Sequence, residues 1–263
     1  MRHTLSIGLG LLLLAAQPTH AKITLPLLFS DGAVVQRDRP LPVWGWATPG
    51  AKIEVAFDGR NAQATASGDG AWRLELPAHA AGGPYLLEIR ENGGDATVVR
   101  DVLVGDVWLA SGQSNMEWPV AQAKDAKREI ASAGDTRIRH FKVPKSWSGQ
   151  PETRLTGGQW QAASPQTVGA FSAVGYFFAR ELRAKTGVPI GIIDSTWGGS
   201  RIEAWTDAAT QGLDAQAVVR QAREAQARDQ AAMAETHARL ARWLQKKVDT
   251  SRWNQADFDD RDW

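Results

Sequence analysis

Cysteine is missing altogether from the 263 residues. That excludes disulfide staples, thiolate metal sites, iron–sulfur clusters and a cysteine nucleophile. Histidine is scarce, with five residues, so no histidine-rich metal cage is expected and neither metal nor cofactor is assigned. An excess of one charge is missing too. Thirty basic against 29 acidic residues leave +1, so no global field draws in nucleic acid or an anionic membrane. Tyrosine and phenylalanine are few, 2 and 7, whereas tryptophan reaches 12. Beyond the leading segment no apolar run approaches the roughly 18 residues of a membrane span. What is present is ordinary for a globular protein: 43% hydrophobic and 22% charged residues, against disorder. At about 150 residues per domain the length suggests one to two domains.

The leading segment, residues 1–21, has the anatomy of a secretory signal. Arg2 precedes an apolar run from Leu5 to Ala16, followed by Pro18 and the small-x-small ending Thr19-His20-Ala21. The expectation is an exported protein, periplasmic or secreted, beginning at Lys22. The alternative for this segment is a buried N-terminal helix.

From Ile23 to about Arg100 short alternating runs are broken by turn residues. Examples are Leu41-Pro-Val-Trp-Gly-Trp, Lys52-Ile-Glu-Val-Ala-Phe and Ala71-Trp-Arg-Leu-Glu-Leu, separated by Thr48-Pro-Gly, Asp58-Gly and Gly68-Asp-Gly. This predicts a small antiparallel β-sandwich over residues 22–100. Trp44, Trp46 and Trp72 are expected in its core rather than on a ligand platform. At Val102 the pattern changes to a nearly continuous apolar run, as for a strand covered on both faces. It ends in the polar turn Ser111-Gly-Gln-Ser-Asn-Met.

A helix is expected over 121–133, and an amphipathic one over 171–186 with Gly187 as its stop. A second buried strand, Val188-Pro-Ile-Gly-Ile-Ile-Asp-Ser, ends in Thr196-Trp-Gly-Gly-Ser. Strand, helix and strand with polar turns at the carboxyl ends is α/β organisation, and such turns are where ligands bind. Residues 207–248 read as a long solvated helix or helical pair with a late apolar stripe.

Two turns can carry chemistry. Ser114 follows a buried strand, where a hydroxyl is presented above the sheet edge. It becomes a nucleophile only when a base takes its proton. The turn Trp197-Gly198-Gly199-Ser200 lets backbone N–H groups come close to a reacting oxygen, as an oxyanion hole requires. Taken alone, a serine after a strand also suits an ordinary turn.

The block Gly105-Asp-Val-Trp-Leu-Ala-Ser-Gly-Gln-Ser-Asn-Met-Glu-Trp118 closely resembles the nucleophile block of the sialate O-acetylesterase family, serine esterases of the SGNH (GDSL-like) class. Gly187-Val-Pro-Ile-Gly-Ile-Ile-Asp-Ser-Thr-Trp-Gly-Gly-Ser-Arg-Ile-Glu-Ala-Trp205 and Leu28-Phe-Ser-Asp-Gly-Ala-Val-Val-Gln-Arg37 resemble it as well. The resemblance implies a three-layer α/β/α flavodoxin-like hydrolase domain over residues 101–250, after the accessory β-domain. It implies a carbohydrate esterase that removes O-acetyl groups from sialic acid or related glycans, with an acetylated carbohydrate as partner. Ser114 matches the nucleophile, its N–H and that of Gly199 the oxyanion hole, and Gln113 and Asn115 border them. Arg201 and Glu203 sit where the family keeps polar pocket residues, with a structural salt bridge as the alternative. Trp118, Trp197 and Trp205 either wall a sugar site or pack in the core.

One part of the family pattern is missing: no Asp-x-x-His block follows the serine. His79 lies in the β-region, His140 follows Asp135-Thr-Arg-Ile-Arg on an expected edge strand, and His237 lies on the polar helix. Residues 251–263 resemble the start of an inserted β-domain. The chain is therefore expected to be an N-terminal fragment or half of a split gene. The alternative to an esterase is a catalytically inactive carbohydrate-binding or structural piece.

Overall fold

Residues 23–148 and 151–245 are described by the computed structural model. The alternating N-terminal runs form strands because every second residue finds an apolar interior. In chain order the strands are β1 (Val34–Gln36), β2 (Leu41–Trp46), β3 (Lys52–Phe57), β4 (Arg60–Thr65), β5 (Ala71–Leu76), β6 (Gly82–Glu91) and β7 (Thr97–Gly112). β2 and β5 pair antiparallel as a two-stranded sheet. β4, β3, β6 and β7 pair antiparallel in that order, with β1 parallel to β7. Leu41, Val43, Trp72 and Leu76 share one buried cluster with Ile53, Val55, Phe57, Leu87 and Ile89. Asp58 and Gly59 both take positive φ, +45° and +74°, as a two-residue turn between paired Phe57 and Arg60 demands.

Of the three tryptophans expected in this core, Trp72 is buried. Trp44 packs against the cluster with its ring 4.7 Å from Phe29. Trp46 is half-buried under the Arg154 guanidinium, 4.0 Å from its ring centre.

The expected boundary between residues 100 and 101 lies within β7, which runs unbroken from the N-terminal sheet into the α/β half. Residues 23–145 and 154–200 together form one compact unit. Here β7 pairs in parallel with β10 (Ile190–Thr196), from Ile190↔Asp106 to Thr196↔Gly112. Strand β8 (Ile138–Lys142) lies parallel to β10 on its other side, and β9 (Trp160–Ala162) is antiparallel to β8. The result is a mixed α/β architecture with one large sheet and few helices.

Strand β8 is thus an inner strand, not the expected edge strand, because β9 returns to cover its free side. One sheet face buries Ile138, Ile190 and Ile192 with Phe171, Tyr176 and Ala179. The other packs Phe141 and Trp160 against Val34 and Leu103.

The helix expected over 171–186 is α3, Ala173–Thr186, numbered after α1 (Ser114–Glu117) and α2 (Ala126–Ser132). The Ser172 hydroxyl caps α3 by accepting from the Gly175 N–H at 3.1 Å, and Gly187 at φ +69° closes it. The helix expected over 121–133 is instead a 3₁₀ turn, Val120–Gln122, followed by α2. The break has a local cause: Asp125 is left-handed, φ +58°.

The described residues of the second compact unit are 146–148, 151–153 and 201–245. Its described part holds a 3₁₀ turn, Ile202–Trp205, and α4, Ala215–Gln245, a 31-residue helix with an exposed surface. Leu240, Trp243 and Leu244 of the expected apolar stripe are among its exposed residues; Val248, its fourth member, lies outside the described residues. No helix among the described residues is long and apolar enough to cross a membrane. The expected signal (1–21) and β-domain start (251–263) lie outside the described residues.

Candidate active site

Two strand ends meet where parallel β7 and β10 finish side by side. The Trp197 N–H donates to the Gly112 carbonyl at 2.9 Å, which aligns the turn after β10 with the turn after β7. Ser114 opens the single helical turn α1, and its hydroxyl donates to Gln113 Oε1 at 3.2 Å. Met116 and Glu117 N–H groups close back on the Gln113 carbonyl. The first-turn amides of Ser114 and Asn115 have no intrahelical acceptor.

Gly198 sits against this turn. A β-carbon there would lie 3.7 Å from Ser114 Cα and 3.8 Å from its Oγ, but only 2.8 Å from Glu117 Oε2. The absence of a side chain is what permits the approach. The Gly198 N–H donates to Glu117 Oε2 at 2.5 Å, and Lys145 Nζ meets Glu117 Oε1 at 2.6 Å. The Lys145 ammonium also lies 6.0 Å from the Trp197 ring centre. Its hydrogen bond to Glu117, assisted by the Gly198 N–H and opposed by partial burial, holds the Glu117 carboxyl below the ordinary carboxylate range. Ser114, Glu117, Trp118, Lys142 and Gly198 line a cavity of about 690 Å³.

Behind the cavity lies a buried polar cluster. Asp194 on β10 is 1% exposed and accepts from His140 Nε2 at 3.0 Å, Lys142 Nζ at 3.0 Å and Thr196 Oγ1 at 2.7 Å. Burial pushes the Asp194 carboxyl up, but the bonds from His140, Thr196 and Lys142 outweigh it and leave it below its ordinary value. The His140 ring stacks on Phe171, centres 4.3 Å apart. This histidine is thus bound between a core aromatic ring and a carboxylate.

Residues 104–261 match the family described as carbohydrate esterase, sialic acid-specific acetylesterase. The chain belongs to this family. Sialate O-acetylesterases from Homo sapiens (35% identical over 184 residues) and Pongo abelii (34% over 181) each align with 62% of the chain. The chain spans 35% of the length of these relatives. A crystal structure of a carbohydrate acetylesterase from Xanthomonas citri superposes with a TM-score of 0.72 at 63% identity. It covers 75% of this chain and 45% of its own.

Within this acetylesterase-family site, Ser114, Gln113 and Asn115 occupy one exposed turn. Of the two glycines in the facing turn, Gly198 is the one on which a β-carbon would come near Ser114. Gly199, at φ +78°, is exposed, and a β-carbon there would meet nothing within 4 Å. Arg201 and Glu203 belong to the second unit and are exposed; the Glu203 carbonyl accepts from Gln211 Nε2 at 2.8 Å. Trp118 lines the cavity, 49% exposed. Trp197 is half-buried beside Lys145, and Trp205 lies in the second unit.

Both described histidines of the first unit are buried and engaged, His140 as above and His79 with Asp58 at 2.7 Å. His237 is exposed on α4. No cluster of three or more metal-ligating side chains occurs among the described residues. Sequence reasoning missed Glu117, Lys142 and Lys145. Glu117 stood in the block 105–118 that resembles the family, but nothing local announced its partner 81 residues away.

Proposed function

We propose that this chain carries the nucleophile of a carbohydrate O-deacetylation, with Ser114 attacking the acetyl ester of a sugar. The observation that carries the reading is the position of Ser114: at the carboxyl end of a central strand, in a cavity, against the glycine turn of the neighbouring parallel strand. The Ser114 Oγ forms a bond to the acetyl carbon and gives its proton to a base. The C–O bond to the sugar breaks and the sugar hydroxyl leaves protonated. Water then attacks the acetyl-serine, releasing acetate and restoring the hydroxyl. The Ser114 and Gly199 N–H groups are the donors assigned to the oxyanion, since the Gly198 N–H is engaged by Glu117. Gln113 and Asn115 are assigned to the sugar, of the sialic acid or a related glycan class, and Trp118 offers it an apolar wall.

The same reading takes the sheet as part of a three-layer SGNH hydrolase domain, residues 22–100 as an accessory β-sandwich, and residues 1–21 as an export signal. A second reading, sugar binding without turnover, is favoured by one contact: the Ser114 hydroxyl donates to Gln113, not to a base.

Acetate release from O-acetylated sugars, with and without added imidazole, separates the two. A slow release that depends on Ser114 and rises with imidazole supports the serine reading, since roughly 10³–10⁴-fold catalysis over water survives loss of triad partners in serine proteases. Equal release by wild type and Ser114→Ala removes Ser114 from the chemistry. Sugar binding under those conditions then establishes the second reading.

A further inference from the structure

Glu117 has no part in the chemistry described so far, yet its carboxylate faces the same cavity as Ser114. Three contacts converge on the Trp197–Gly198 turn. Glu117 Oε2 accepts the Gly198 N–H, Glu117 Oε1 pairs with Lys145, and the Lys145 ammonium lies over the Trp197 ring. One side chain of the nucleophile turn thereby grips the backbone and, through a lysine, the aromatic ring of the opposing turn. The approach is close: a methyl group on Gly198 would lie 2.8 Å from Glu117 Oε2, so the carboxylate would have to move to admit one.

We propose that Glu117 is a positioning residue for Ser114: its carboxylate, braced by Lys145, locks the glycine turn of β10 against the nucleophile turn. The lock decides which amide serves the reaction. With the Gly198 N–H bound to Glu117, the next amide on that turn, that of Gly199, remains for the developing oxyanion. The proposal rests on the reading of Ser114 as nucleophile.

The competing role for Glu117 is general base. A base works best with a pKa near the working pH, whereas Lys145 and the Gly198 N–H favour the charged carboxylate and hold it low. Both carboxylate oxygens are also committed, one to each partner. Glu117 therefore holds geometry rather than protons. Misplacement by about 1 Å at a reacting centre costs on the order of 10²-fold in rate, so the hold has a measurable consequence.

The test uses Glu117→Ala, which removes both contacts, and Glu117→Gln, which keeps an acceptor for the Gly198 N–H but loses the ion pair with Lys145. The first measurement is the Gly198 amide resonance against pH, which requires no turnover. In wild type it should follow a carboxyl titrating below the ordinary glutamate range. In Glu117→Gln that titration should vanish, and in Glu117→Ala the amide should exchange faster. The second is Ser114-dependent acetate release, with Ser114→Ala as background. The alanine variant should lose about 10²-fold in kcat with KM nearly unchanged, and glutamine should recover part of the loss.

A Gly198 amide indifferent to Glu117 overturns the contact. Wild-type kcat in Glu117→Ala, or a loss that only tracks a lowered melting temperature, overturns the positioning role. Release that is equal in Ser114→Ala overturns the nucleophile reading and the proposal with it. The amide measurement then still reports whether the turn is held.

Discussion

Replacing Asp194 by alanine removes the centre of the buried cluster and leaves its partners in place. His140, 2% exposed, loses the acceptor of its Nε2, while Lys142 and Thr196 lose an oxygen at 3.0 and 2.7 Å. Breaking a buried charge pair from one side costs roughly 3–5 kcal/mol. The low end applies, because 39% of the Lys142 side chain is exposed and water screens that arm. The expected loss is about 3 kcal/mol, or roughly 6–12 °C in melting temperature at 2–4 °C per kcal/mol for a unit of this size. Asp194→Asn keeps one acceptor and should lose less.

The pH dependence adds a signature. The folded-state carboxyl lies below its ordinary value, so its contribution is complete above the unfolded aspartate pKa of about 3.9 and fades as pH falls through the folded value. The gap between wild type and Asp194→Asn should therefore be constant near neutrality and narrow in acid. Chemical denaturation monitored by tryptophan fluorescence from pH 7 downward measures both. A loss under about 0.5 kcal/mol for Asp194→Ala, the size of an ordinary surface change, would refute the reasoning.

Four further outcomes are expected. Arg139, 6% exposed, donates to both Asp101 oxygens at 2.8 and 3.1 Å; because half of the Asp101 side chain is exposed and water screens it, Arg139→Ala should cost about 1–2 kcal/mol in urea denaturation, and a neutral result would exclude a structural role for the pair. Gly105→Ala drives a β-carbon into the Pro189 carbonyl and should cost roughly 1–3 kcal/mol by the same assay, unless that crossing is looser than the sheet register implies. Ser172 caps α3 and donates to the Met116 carbonyl at 2.6 Å; Ser172→Ala should lower stability by about 1 kcal/mol, and an unchanged denaturation midpoint would contradict the cap. Exported protein should begin at Lys22 by N-terminal sequencing, and retention of Met1 would sink the signal assignment.

Local periodicity determined much of this protein. Alternation at 41–46, 52–57 and 71–76 sufficed for strands, because a period of two leaves only one way to bury Leu41 and Val43 while Pro42 stays out. Gly187 ended α3 where a left-handed residue was required. The family block 105–118 could be read because its residues are contiguous. Pairing partners could not, because they depend on chain that returns from far away. His140 follows a polar stretch, as an edge strand does, yet β9 covers its strand and Asp194, 54 positions on, binds its ring. Asp125 interrupted an expected helix through one left-handed residue that the composition of 121–133 does not reveal. The grip of Glu117 on Gly198 spans 81 positions. It exists only because β7 and β10 run parallel and end together, which is decided by packing across the sheet rather than by any run of neighbouring residues.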